Sequence, residues 1–232
     1  KSWYPGGFDA GEWVDFFAES GAKMFAFTSK HHDGFSMFDT GARVKRRVNW
    51  LAAGGPAIED CDLAYSIMET PFKRDVVKEL TAAAHRKGMK VDLYFSHPDW
   101  YDSDFRPYNY HPLQVPDSAT IAVVGKNKTP EIEDPQKYFA KAGLVIKPNP
   151  SKEEVTRMMA RHRMQLEELL TRYGHIDMLC LDQWLGPEVW PMLRDTLLHL
   201  RKISPRTMFR ARGIGNYGDY YTPEGFVPGS KE

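Results

Sequence analysis

The chain has 232 residues, 42% hydrophobic and 27% charged, an ordinary globular composition that can bury one core. Its 31 basic residues balance 31 acidic ones, so no net field draws it to nucleic acid or an anionic membrane, and a neutral ligand recognised locally fits that balance. No apolar run approaches the roughly 18 residues of a membrane-crossing helix. The opening Lys1-Ser2-Trp3-Tyr4-Pro5 has no signal-type apolar region, and a start at Lys rather than Met is what trimming or a partial sequence would leave. The two cysteines make neither a disulfide framework nor a zinc-type spacing. Composition fixes neither compartment nor oligomeric state.

Asp9 is placed to cap a helix through Glu12, Trp13, Phe16 and Phe17, with Gly21 as its stop. Met24 to Ser29 is a short strand-type run that ends in the polar cluster Lys30, His31, His32, Asp33 and Gly34. A long loop is expected at about 33–73, with Cys61 in it. The next helical pattern runs from Arg74 to Lys87 and stops at Gly88, and Val91 to Ser96 reads as strand. A second long loop, at about 97–150, is rich in Pro, Tyr, Asp and Asn. Ser151 with Glu154 then forms a capping box for a helix that reaches Gly174. Ile176 to Leu181 is a continuous apolar strand, a helix spans about Pro187 to Ile203, and Thr207 to Ala211 is the last strand.

Helices alternating with strands predict a parallel sheet, either doubly wound or closed into a barrel. Polar groups decide between these, because His31 and His32, Ser96 and His97, Asp182, and Arg212 each follow the carboxyl end of a predicted strand. Those ends converge on one face of a barrel. The fold class is therefore α/β, a (β/α)8 TIM-like barrel of which residues 1–232 form a partial domain with four strands visible.

Three blocks carry a family resemblance. The first is Phe8-Asp9-Ala10-Gly11-Glu12-Trp13-Val14, then Gly21-Ala22-Lys23-Met24, then Thr28-Ser29-Lys30-His31-His32-Asp33-Gly34-Phe35. The second joins Pro71 to Leu80 with Gly88 to Ser96 and Asp99-Trp100. The third joins His175 to Trp184 with Phe209 to Glu224. Together they resemble glycoside hydrolase family 29, the α-L-fucosidases. The visible strands correspond to about strands two to five of that family's barrel. The family's strand-one histidine, its upstream acidic-aromatic pair, its later strands and its C-terminal β-sandwich find no counterpart, and stretches 41–70 and 101–150 match poorly. Such a partial barrel, with open sheet edges, is expected to be neither stable nor fully active alone.

The resemblance implies a retaining, exo-acting α-L-fucosidase that releases terminal fucose from a fucosylated oligosaccharide or glycoconjugate by double displacement, a mechanism that requires no metal and no organic cofactor. It implies Asp182 as nucleophile and Glu224 as general acid/base. It further implies His31, His32 and Arg212 as sugar-binding residues, with Tyr94 or Phe95 lining the pocket and Trp100 and Trp184 as aromatic walls. Each has a structural alternative. The histidines can be a metal site or a buried pair, the aromatics can be core, and Arg212 can serve an ion pair, for instance with Asp219. Asp177 is a second carboxylate on the nucleophile strand, at the amino end that usually serves stability. Other readings of the whole are an inactive sugar-binding relative and a barrel glycosidase for another sugar.

Overall fold

The computed structural model describes residues 3–49, 57–105, 151–187 and 189–222. Helix α1, Ala10–Glu19, begins where the Asp9 carboxylate accepts the Glu12 amide at 2.9 Å, and the chain leaves it through Gly21 at φ +85°. Strand β1 is Met24–Lys30. Helix α2, Val76–Arg86, is capped by Asp75, and strand β4, Lys90–Ser96, follows it across Gly88. The Ser151 and Glu154 capping box is present in full and starts helix α3, Lys152–Thr171. Strand β5, Met178–Asp182, helix α4, Trp190–Ile203, and strand β6, Met208–Arg212, complete the alternation.

All four expected strands pair in parallel and in sequential order, β1 to β4 to β5 to β6, and a two-residue strand β7, Tyr220–Tyr221, extends the sheet beyond β6. Consecutive βα units laid side by side in chain order form the arc of a (β/α) barrel. Along the strands the faces alternate. Val91, Leu93, Phe95, Leu179, Leu181 and Phe209 are buried in the core with Val77 and Leu80 of α2, Leu166 and Leu169 of α3, and Leu197 of α4. The opposite face carries Asp92, Tyr94 and Ser96 on β4, Asp182 on β5, and Arg210 and Arg212 on β6. Arg210 pairs with Asp92 at 3.1 Å below the strand ends.

The stretch expected as one long loop, 33–73, differs. It contains an antiparallel pair, β2 at Val44–Asn49 and β3 at Ala57–Leu63, followed by a short 3-10 helix at Ile67–Glu69. Cys61 therefore lies in a strand. Charged residues fill both strands and hide the pattern from sequence, but they pair across the ladder: Arg47 with Glu59 at 2.8 Å, Asn49 with Glu59 at 2.7 Å, and Lys45 with Asp62 at 2.8 Å. The Val48 amide donates to the Tyr101 carbonyl, which ties the hairpin to the segment after β4. Helix α4 starts later than Pro187, because Gln183 at φ +78° and Gly186 at φ +97° turn the chain before it. Residues 106–150, the bulk of the second expected loop, lie outside the described residues.

Candidate active site

The strand register brings the polar side chains together. Ser96, Asp182 and Arg212 are direct partners across β4, β5 and β6, so three neighbouring strands end at one level. Asp182 is almost fully buried. Its Oδ1 lies 3.2 Å from Arg212 Nε, and its Oδ2 accepts from the Tyr94 hydroxyl. Ser96 Oγ in turn donates to the Tyr94 oxygen at 2.9 Å. A carboxylate in so dry a place is retained only with such donors, since an unpaired buried charge costs several kcal/mol. Burial, followed by the bond to Asp182, pushes the Tyr94 phenol above its ordinary range, so it stays a proton donor.

The turn after β1 supplies the imidazoles. His31 stacks on the Tyr94 ring at 5.6 Å and 15°, His32 lies 4.4 Å from His31, and the Trp100 ring lies 5.2 Å from His32. Burial first, then the neighbouring His31, lowers the His32 pKa to about 4, so at neutral pH its ring has one donor and one acceptor. His32 Nδ1 has no hydrogen-bond partner among the described residues. Two features hold this turn. The Trp100 amide donates to the His32 carbonyl at 2.6 Å. Gly34, at φ +81°, presses its Cα against Asp99, and a Cβ there would overlap the carboxylate.

Six of the candidate residues thus form one connected set: His31, His32, Tyr94, Trp100, Asp182 and Arg212. Trp184, two residues after Asp182, is not joined to this set by a described contact; its ring lies 5.3 Å from Trp190 at the start of α4. Glu224 lies outside the described residues. Phe95 does not line the pocket. It is fully buried on the helix side, where Lys30 and His162 meet its ring, because it is one residue out of phase with Tyr94. Asp219, the alternative partner of Arg212, is engaged by other groups. Asp219 caps the Phe209 amide at 2.6 Å and pairs with Arg201 at 3.1 Å. Asp177 sits at the amino end of β5 and accepts the Val91 amide at 3.1 Å, a structural use. Among the described residues no group of three or more His, Cys, Asp or Glu side chains is placed to hold a metal ion.

Sequence reasoning assigned no role to Ser96 or to Gln183, whose φ of +78° turns the chain directly after Asp182. A Cβ on Gly213 would collide with the Gln183 backbone, so the turns after β5 and β6 pack backbone to backbone. Left-handed backbone at a non-glycine residue is a form of strain that often marks functional sites.

A parallel βα arc whose strand ends gather a carboxylate, a guanidinium, a phenol and two imidazoles belongs to the class of barrel proteins with a polar pocket on the carboxyl face. The family model for alpha-L-fucosidase matches residues 1–232, and the chain belongs to that family. The plasma alpha-L-fucosidase of Homo sapiens is 35% identical over 118 residues, 49% of this chain and 21% of that protein. The alpha-L-fucosidase of Dictyostelium discoideum is 30% identical over 126 residues, 54% of this chain and 20% of the other. These matches therefore span about a fifth of the curated relatives' length. Among solved structures, alpha-L-fucosidase isoenzyme 1 from Paenibacillus thiaminolyticus superposes with a TM-score of 0.65 at 23% identity, over 98% of this chain and 46% of its own. A Bacteroides thetaiotaomicron alpha-L-fucosidase of glycoside hydrolase family 29, seen as a trapped covalent intermediate with 2-fluoro-fucosyl fluoride, gives 0.59 at 20% identity, over 95% and 39%. These likenesses establish the fold.

Proposed function

We propose that this chain supplies the nucleophile and much of the sugar pocket of a retaining, exo-acting α-L-fucosidase acting on fucosylated oligosaccharides or glycoconjugates. The observation that carries the reading is the placement of Asp182, buried at a strand end, with Arg212 on one carboxylate oxygen and Tyr94 on the other. Two donors from neighbouring strands stabilise the negative charge and fix the carboxylate plane, so attack starts from a set geometry. In the first displacement an Asp182 oxygen bonds to the anomeric carbon while the bond to the leaving oxygen breaks, and Glu224 protonates that oxygen. Water then attacks the same carbon, Glu224 takes its proton, and the Asp182 carboxylate is released. The covalent intermediate trapped in the Bacteroides thetaiotaomicron protein of the same fold supports a covalent step of this kind. His31 and His32 meet the sugar hydroxyls, Trp100 supplies a flat apolar wall near the leaving group, and Trp184 is a further substrate-binding aromatic. No metal or organic cofactor enters these steps.

The direct test uses the complete protein that carries this chain. Aryl α-L-fucoside should turn over and aryl α-galactoside should not, and 2-fluoro-fucosyl fluoride should leave one covalent adduct on the peptide containing Asp182. An adduct elsewhere, or preferred cleavage of the galactoside, would overturn the reading. Alanine at His31 or His32 should lower kcat/KM by about 1–3 kcal/mol each, through sugar hydroxyls left unpaired. Unchanged affinity of both variants for a fucose-like iminosugar would remove them from the pocket.

Glu224→Ala should slow natural glycosides about a hundredfold, because their leaving groups need the proton, and should slow activated aryl fucosides far less. Added azide should restore turnover of the aryl substrate. Equal loss on both substrates without azide rescue would move the acid/base role to another carboxylate.

A further inference from the structure

Tyr94 and Ser96 sit at positions i and i+2 of β4, so both point to the pocket face, where Ser96 is fully buried. The hydroxyl of Tyr94 touches two oxygens. One is Asp182 Oδ2, which as a carboxylate oxygen can only accept, so the single phenolic proton must lie toward Asp182. The other is Ser96 Oγ at 2.9 Å, and with the Tyr94 proton already committed, Ser96 must be the donor in that bond. The three groups therefore form a one-way chain from Ser96 through Tyr94 to Asp182. In such a chain each bond polarises the next, so a donor behind the phenol makes the phenol a better donor ahead. Without it, the hydroxyl can rotate its proton away from the carboxylate.

We propose that Ser96 is a positioning residue for the reaction: it directs the Tyr94 hydroxyl proton onto Asp182 and thereby holds the carboxylate in the plane from which it attacks. Ser96 does not touch the reacting atoms. It acts through Tyr94, while Arg212 holds the other carboxylate oxygen independently from β6. The inference rests on the assignment of Asp182 as nucleophile.

The test is a double-mutant cycle in the complete protein, with Ser96→Ala, Tyr94→Phe and both together, read by aryl α-L-fucoside kinetics. Ser96→Ala should lower kcat about fivefold to tenfold with little change in KM, the loss of one polar contact in the path to the nucleophile. In the Tyr94→Phe background the same change should have no effect, because the relay is already cut. Multiplied losses in the double variant would overturn the proposal. Ser96→Cys keeps the volume with a weak donor and should fall between Ser and Ala; activity equal to Ala with unaltered thermal unfolding would count against a graded donor role. A second readout does not need turnover. The carbon-13 resonance of Tyr94 Cζ should shift in Ser96→Ala and stay in place when Thr81, whose buried hydroxyl donates to the Val77 carbonyl within α2, is changed to Ala. An unmoved Cζ resonance would sink the positioning role even if the enzyme is a fucosidase. Wild-type protein inert to aryl fucosides, with the shift present, would instead sink the functional assignment.

Discussion

Replacing Asp182 with Asn is expected to lower turnover of an aryl α-L-fucoside by about 10³-fold or more without loss of the fold. The amide has nearly the same shape as the carboxylate, so packing at the end of β5 should hold. Its hydrogen bonds change sign on one side. Arg212 can only donate and therefore takes the amide oxygen, which leaves the amide NH2 facing the Tyr94 hydroxyl. Tyr94 can rotate its proton away and accept, so the local structure has a way to adapt, but under the proposed mechanism the nucleophile is gone and no glycosyl ester can form. Single-turnover kinetics on the complete protein, with thermal unfolding as a control, measure both halves. A variant that keeps a tenth of wild-type turnover would exclude Asp182 as nucleophile.

Arg161→Met is expected to destabilise the fold by about 3–5 kcal/mol at neutral pH, the usual consequence of removing one partner from a buried ion pair. Arg161 projects from α3 into a dry site, 2.5 Å from Asp99 and 3.6 Å from Asp102, with Lys30 3.7 Å from Asp99 on the other side. The Asp99 carboxylate also accepts the amides of Tyr101 and Asp102 at 3.0 and 2.9 Å, so it organises the segment that presents Trp100 to His32. Burial alone would raise the Asp99 pKa, but Arg161 and then Lys30 outweigh it and hold the group at about 2. A lowered carboxyl pKa stabilises the fold fully above the unfolded value of about 4, and the contribution is lost as pH falls from there toward 2. Without the guanidinium that contribution disappears. Urea unfolding of the two proteins should therefore differ most above about pH 4 and converge toward pH 2. Asp102 adds to the neutral-pH penalty. Burial already raises its pKa to about 7 against the pull of Arg161, and the variant removes that pull. A stability gap below about 1 kcal/mol, or one independent of pH, would show that the cluster is not held by Arg161.

Much of the fold was legible because its determinants are local. Asp9, Asp75 and the Ser151 and Glu154 pair act within one helical turn, and Gly21, Gly88 and Gly174 end helices through a backbone conformation that glycine adopts without cost. Apolar runs marked the four main strands, and alternation with helices implied their parallel order. His31, His32, Asp182 and Arg212 were marked by their position after strand ends and by family resemblance. Tertiary structure decided what depends on distant pairing. The β2 and β3 strands carry charges that read as loop, and only their pairing with each other, through the antiparallel ladder and its cross-strand ion pairs, makes them strands. Nothing local tells whether Arg212 serves Asp219 or Asp182, and the parallel register of β5 with β6 places it on Asp182. Phe95 and Tyr94 are both aromatic residues of one strand, and the pleat alone sends one to the core and the other to the pocket. The contacts that shape the site join residues far apart in the chain: Tyr94 to Asp182 across 88 residues, Asp99 to Arg161 across 62. Caps and periodicity act over a few residues, whereas such contacts exist only once the sheet has set its register and α3 has packed against it.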